Sequence, residues 1–151
     1  MRSLITAICV GSLLVMDAAH ADVGREEALD AAVRQFAAKL ESDWQSCLNG
    51  SETVKKWGSG RCAYLMLQTA KDAVTQKYRE KFATAQDYAN KDWLPKDVPA
   101  MLPKAQDAWE QYVREDCGVV AAQTTGTAST TYQLICEYKH QIQRLHALDE
   151  W

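Results

Sequence analysis

Outside its first 21 positions, this chain of 151 residues has no apolar run approaching the ~18 residues needed to span a bilayer. No membrane insertion is expected there. The chain also lacks a block of Lys and Arg, and its formal net charge is −3. Nucleic acids and anionic membranes are both bound through clustered cations, so neither is an expected partner, and a basic protein is a better one. No two cysteines stand in a C-x-x-C pair, which argues against a zinc site, and no C-x-x-C-H is present to attach haem. No serine occupies a G-x-S-x-G or S-x-x-K frame, so a serine nucleophile is not expected.

Histidine is scarce as well. His20 falls in the first 21 residues, which leaves His140 and His146. Glu137-x-x-His140 has the spacing of half a di-iron carboxylate site, but such a site needs a second copy and none occurs, so the pair reads as a solvated helix face. Haem ligation by His140 or His146 with Met66 or Met101 has no supporting pattern. The acidic neighbours Glu41 and Asp43, or Glu115 and Asp116, lie at helix ends among other charges, where a solvated surface is the default. No catalytic residue, metal or cofactor is expected, and the chain reads as a binding protein rather than an enzyme.

What is present begins with a leader. Arg2, the apolar stretch 4–16 and Ala19-His20-Ala21 have the charge, core and small-x-small cleavage site of a signal peptide ending at residue 21. There is no cysteine at the cleavage site to take a lipid anchor, so a soluble periplasmic or secreted product is expected. Subtracting 21 of the 151 residues leaves 130, the size of one domain, here 22–151. Loss of Arg2 and Asp17 leaves the charge at −3, and loss of Cys9 reduces five cysteines to four.

In an oxidising compartment those four, Cys47, Cys62, Cys117 and Cys136, are expected to form two disulfides. Three connectivities are possible. The spacing favours Cys47 with Cys62 and Cys117 with Cys136, because each pair brackets a segment rich in Gly, Ser and Thr.

Hydrophobic periodicity points to helices throughout. Over residues 22–44, Ala28, Leu29, Ala32, Val33, Phe36, Ala37, Leu40 and Trp44 recur at spacings of three and four. A second helix is predicted over 62–88, with Ala63, Met66, Leu67, Ala70, Val74, Tyr78, Phe82 and Ala85 on one stripe. Pro95, Pro99 and Pro103 force a turn, so a third helix starts around 99–103. Met101, Leu102, Ala105, Trp109, Tyr112 and Val113 form its predicted buried face, and Cys117-Gly118 its end. A fourth, capped by Ser129 or Thr130, carries Tyr132, Ile135, Cys136, Lys139, Ile142, Leu145 and Leu148. The expected fold is all-α: a small antiparallel bundle of about four helices stapled by two disulfides, without internal repeats.

Of the five tryptophans, Trp44 and Trp109 fall on apolar stripes and are expected in the core. Trp57 and Trp93 fall between helices, beside Lys55 and Lys56 in one case and Pro95 in the other. Each has two readings: an interface anchor, or a lid folded onto the core.

The arrangement of these landmarks over roughly 47–148 resembles the LprI-type lysozyme-inhibitor family. Cys62-Ala63, Ala70, Val74 and Tyr78 stand at that family's Cys-Ala, small, apolar and Tyr positions. Ala105-Gln106-Asp107-Ala108-Trp109 looks like its A-Q-x-A-W, followed by Tyr112 and Cys117. Cys136, Arg144 and Leu148 fit its C-x7-R-x3-L frame. The departures are Val113 between Tyr112 and Arg114, Thr75 at a usual Asn, and a single Gly126 where a glycine pair is usual.

The resemblance implies an inhibitor of lysozyme or a related peptidoglycan hydrolase. Many such hydrolases are basic, and an acidic inhibitor gains on-rate by steering. The bracketed loops supply the candidate contacts Lys55, Lys56 and Trp57 in one and Thr125 and Thr127 in the other, with Trp93 as a further candidate. A periplasmic immunity or adaptor protein, binding one cognate toxin or envelope partner, is the alternative. A small-molecule or haem carrier is a more distant one.

Overall fold

The computed structural model describes the backbone of residues 14–50, 52, 54 and 58–151, and side chains at 28 and from 30 onward within those stretches, Thr127 apart. Among the described residues there are four helices and no strand: α1 (Leu14–Asn49), α2 (Ser59–Asn90), α3 (Val98–Ala122) and α4 (Thr127–Asp149). Of the expected leader, 1–13 lie outside the described residues and 14–21 are the opening turns of α1.

The disulfides are Cys47–Cys62 and Cys117–Cys136, with Cα atoms 5.8 and 5.6 Å apart, so the favoured pairing is the one formed. The first joins the end of α1 to the start of α2, the second the end of α3 to the start of α4, and the chain runs up, down, up and down. α2 and α4 therefore lie parallel at the centre, α1 and α3 flank them, and no contact joins α1 to α3 among the described residues. The central pair passes so closely at Gly60 that a Cβ there would stand 3.3 Å from Thr131 Oγ1.

The predicted stripes of α1 and α2 meet α4 in two adjoining clusters. Leu40, Met66, Leu67, Ala70 and Tyr138 form one, and Val74, Leu145 and Leu148 the other. Phe36 and Ile142 touch both and make the core continuous. Trp44 packs against the first cluster, as its place on the stripe predicts.

Tyr138 carries the one polar crossing of that cluster with a marked titration shift. Its hydroxyl lies 3.3 Å from the Ala37 carbonyl and 3.4 Å from Glu41 Oε1, sharing its proton between them. Burial, then the Glu41 charge and hydrogen bond, push its pKa up to about 12. Folding raises this pKa, so the stabilisation is complete below pH ~10 and is lost as pH rises toward 12. Denaturant unfolding at pH 8 and above pH 11 should show the unsubstituted protein losing roughly 1–2 kcal/mol more than Tyr138→Phe. Parallel losses in both proteins would show that Tyr138 does not carry the effect.

The third helix departs from its predicted face. Met101 and Tyr112 are exposed at 57% and 56%, and Ala105 also faces solvent. The inward stripe is instead Leu102, Gln106, Trp109, Val113 and Cys117. The rotation follows from a polar residue: Gln106 turns inward because Arg144 of α4 requires its carbonyl. The helix also runs through Gly118, where an added Cβ would meet nothing within 4 Å, and stops at Ala122. The turn uses Gly126 (φ 71°) instead, and Gly58 (φ 75°) opens α2 in the same way. Gly126, rather than Ser129 or Thr130, is the N-cap of α4; Ser129 donates its hydroxyl proton to Ala121 O at 2.8 Å and ties the turn shut. Tyr132, placed by periodicity on the inner stripe of α4, is 51% exposed.

Candidate functional site

The topology puts both disulfides, the start of α2 and the turn before α4 at one end of the bundle. Between the start of α2 and the start of α4 at this end lies a groove of about 740 Å³, with Arg61, Tyr64, Thr130, Thr131, Tyr132 and Leu134 among its walls. Tyr64, Leu65 and Tyr132 are exposed at 41%, 44% and 51%. The Arg61 guanidinium sits 5.1 Å from the Tyr64 ring centroid, a cation–π contact that restrains both side chains. Large apolar rings held rigid next to a groove lose little freedom when a partner covers them.

Of the candidate contacts, Thr125 and Thr127 share this end and Trp93 does not. Lys55, Lys56 and Trp57 lie outside the described residues. Thr125 is exposed in the turn before α4, and Thr127 is the first residue of that helix. Trp93 follows α2 at the opposite end, and a helix of 32 residues separates the two by about 48 Å. There it is 67% exposed, 5.4 Å from the Tyr88 ring and 5.0 Å from Lys91 Nζ, so it is not a lid on the core. Asp92, in the left-handed region at φ 59°, makes the turn that projects it. Tyr64, Leu65 and Arg61 were not singled out by sequence. Their signal was that Tyr64 and Leu65 are apolar yet lie off the Ala63, Met66, Leu67, Ala70 stripe.

The signature residues converge elsewhere, along the inner face between α2, α3 and α4. Ala63 is fully buried beside Cys62, and Leu148 is fully buried against Val74 and Leu145. Arg144 is 8% exposed, with its guanidinium 5.4 Å from the Trp109 ring and 4.3 Å from the Trp151 ring. Its Nε and Nη2 donate to Gln106 Oε1 at 3.2 and 3.1 Å. Burial lowers the Arg144 pKa, while Tyr78 nearby favours its charge. The Tyr78 hydroxyl is raised, first by burial and then by the negative charge of Asp107. Tyr78, Gln106, Trp109 and Arg144 thus form one packed polar–aromatic cluster that fixes α3 on α4. Tyr112 stands apart, its ring edge-on to His140 at 5.4 Å.

Among the described residues, one group brings a carboxylate, a histidine and two cysteines together. Asp116, Cys117, Cys136 and His140 place ligand-type atoms within 4.8 Å of one another. The two sulfurs are bonded to each other, so neither is a thiolate able to hold a metal. What remains is the pair His140 Nε2 to Asp116 Oδ2, at 2.8 Å. Glu137 turns away to Lys71 Nζ, also at 2.8 Å, so Glu137-x-x-His140 does not converge on one point.

No curated protein and no solved structure matches the chain. The family described as lysozyme inhibitor LprI matches residues 47–148, a span holding all four disulfide cysteines and every signature residue above. On that match over most of its described length, the chain belongs to the LprI family, a family of inhibitors rather than enzymes.

Proposed function

We propose that this chain is an exported inhibitor, released by cleavage after Ala21, that binds a lysozyme or related peptidoglycan hydrolase through the disulfide-bearing end of the bundle. The family match carries the reading. Supporting it are the two disulfides, which belong to an oxidising compartment, the exposed Tyr64 and Tyr132 on the groove, and the exposed Leu65 beside Tyr64 in α2. A loop closed by a disulfide has fewer conformations to lose, so less of the interaction energy is spent on fixing it. A net charge of −3 adds modest steering toward a basic enzyme.

Inhibition of a c-type lysozyme by the oxidised protein tests this directly. The double variant Tyr64→Ala/Tyr132→Ala should inhibit at least ~30-fold more weakly, since truncating aromatic anchors costs about 1–2 kcal/mol each. Trp93→Ala, at the far end, should inhibit as well as the unsubstituted protein. No inhibition at micromolar protein removes the proposal for that enzyme class and leaves the immunity or adaptor reading, which predicts one cognate partner and indifference to lysozyme. Loss confined to Trp93→Ala would move the interface to the other end.

A further inference from the structure

A second concavity lies midway along the bundle. α3 leans on α4 and leaves a cleft of about 280 Å³ between itself and α2, floored by α4. Lys71 stands 12 residues into α2 from Ser59, which places the cleft roughly 18 Å from the disulfide end. It is therefore a separate site from the groove discussed above.

Three features define what it can hold. Gln141, on the floor, is only 5% exposed and makes no hydrogen bond to any described residue. Its amide atoms are not fully buried but reach the solvent of the cleft, where they offer a ligand an acceptor and two donors. The walls add apolar surface from the Trp109 indole, whose ring also packs on the Arg144 guanidinium, and from Val74 and Val113. The charged lining residues cancel: Lys71 and Arg114 against Glu110 and Glu137, with Lys71 already paired to Glu137. A phosphate or a metal ion finds no net field there.

We propose that this cleft binds an uncharged saccharide of one or two rings. A pyranose presents an apolar C–H face to an indole and, at its rim, hydroxyls that both donate and accept. The indole-bearing wall, the amide without a side-chain partner and the zero net charge of the lining complement that pattern. The volume, at the lower end of ligand-pocket sizes, sets the limit of one or two rings.

The test is an NMR titration of the full oxidised protein with cellobiose, N,N′-diacetylchitobiose and glucose 6-phosphate. One or both neutral disaccharides should give saturable shifts of the Gln141 side-chain amide and the Trp109 indole N–H. Glucose 6-phosphate should bind more weakly. Gln141→Met, similar in volume and without the amide, should weaken binding by about tenfold or more while leaving the melting temperature nearly unchanged. The lysozyme assay, which reads the far groove, should be unaffected by Gln141→Met. The proposal is overturned by any of three results: no saturable shift at tens of millimolar of either neutral sugar, tighter binding of the phosphate, or undiminished binding by Gln141→Met.

Discussion

On reduction of both disulfides, the folding free energy is expected to fall by about 6 kcal/mol, roughly 3 kcal/mol for each loop closed. The loops span sequence separations of 15 and 19, and closure entropy grows only with the logarithm of length, so the two contributions should differ by only about 0.2 kcal/mol. Small domains have about 5–15 kcal/mol in all. Reduced protein should therefore be largely unfolded at 37 °C, or sharply more sensitive to denaturant, where the oxidised protein stays folded.

The double replacements Cys47→Ala/Cys62→Ala and Cys117→Ala/Cys136→Ala separate the two. The second pair should also loosen the turn of α3 beyond Gly118, because the disulfide and the Ser129 hydrogen bond to Ala121 are what hold that turn to α4. Hydrogen exchange over 118–126 reads this. A loss of under ~1 kcal/mol on full reduction would show that helix packing alone sustains the fold.

Arg144→Ala is expected to cost about 3 kcal/mol. It empties the space between the Trp109 and Trp151 rings and leaves the Gln106 carbonyl without its donors. Arg144→Met should cost less than ~1 kcal/mol, because a buried cation with no carboxylate hydrogen-bonded to it gives up a desolvation penalty when replaced by an apolar chain of similar length. Urea midpoints for the two variants and for Gln106→Leu check this. If Arg144→Met proves as damaging as Arg144→Ala, the guanidinium hydrogen bonds rather than the packing hold the cluster. Equal coupling in the Arg144/Gln106 double-mutant cycle would confirm that reading.

Sequence pattern read the two long helices well because their stripes are purely apolar. α1 and α2 bury Leu40, Met66, Leu67, Ala70 and Val74 as their spacing predicts. It misplaced the face of α3 because an apolarity count favours Met101, Ala105 and Tyr112, whereas Gln106 is drawn inward by a residue 38 positions away. Gly118 read as a helix stop because glycine commonly is one; here it continues the helix and Gly126 makes the turn. Among the candidate contacts, spacing could say that Trp93 and the bracketed loops fall between helices. It could not say that Trp93 and the turn before α4 lie at opposite ends.

By itself the sequence determined the all-α class, the pairing favoured for four cysteines and the family, since these depend on local periodicity and on residues at short, regular separations. Only the tertiary structure decided which polar residues are buried, that Gln141 of α4 faces the cleft without a side-chain partner, and that Tyr64, Leu65 and Tyr132 gather at one end. Those outcomes depend on how α3 rotates and where α2 and α4 run side by side. Contacts between distant positions set both, and no local pattern encodes them.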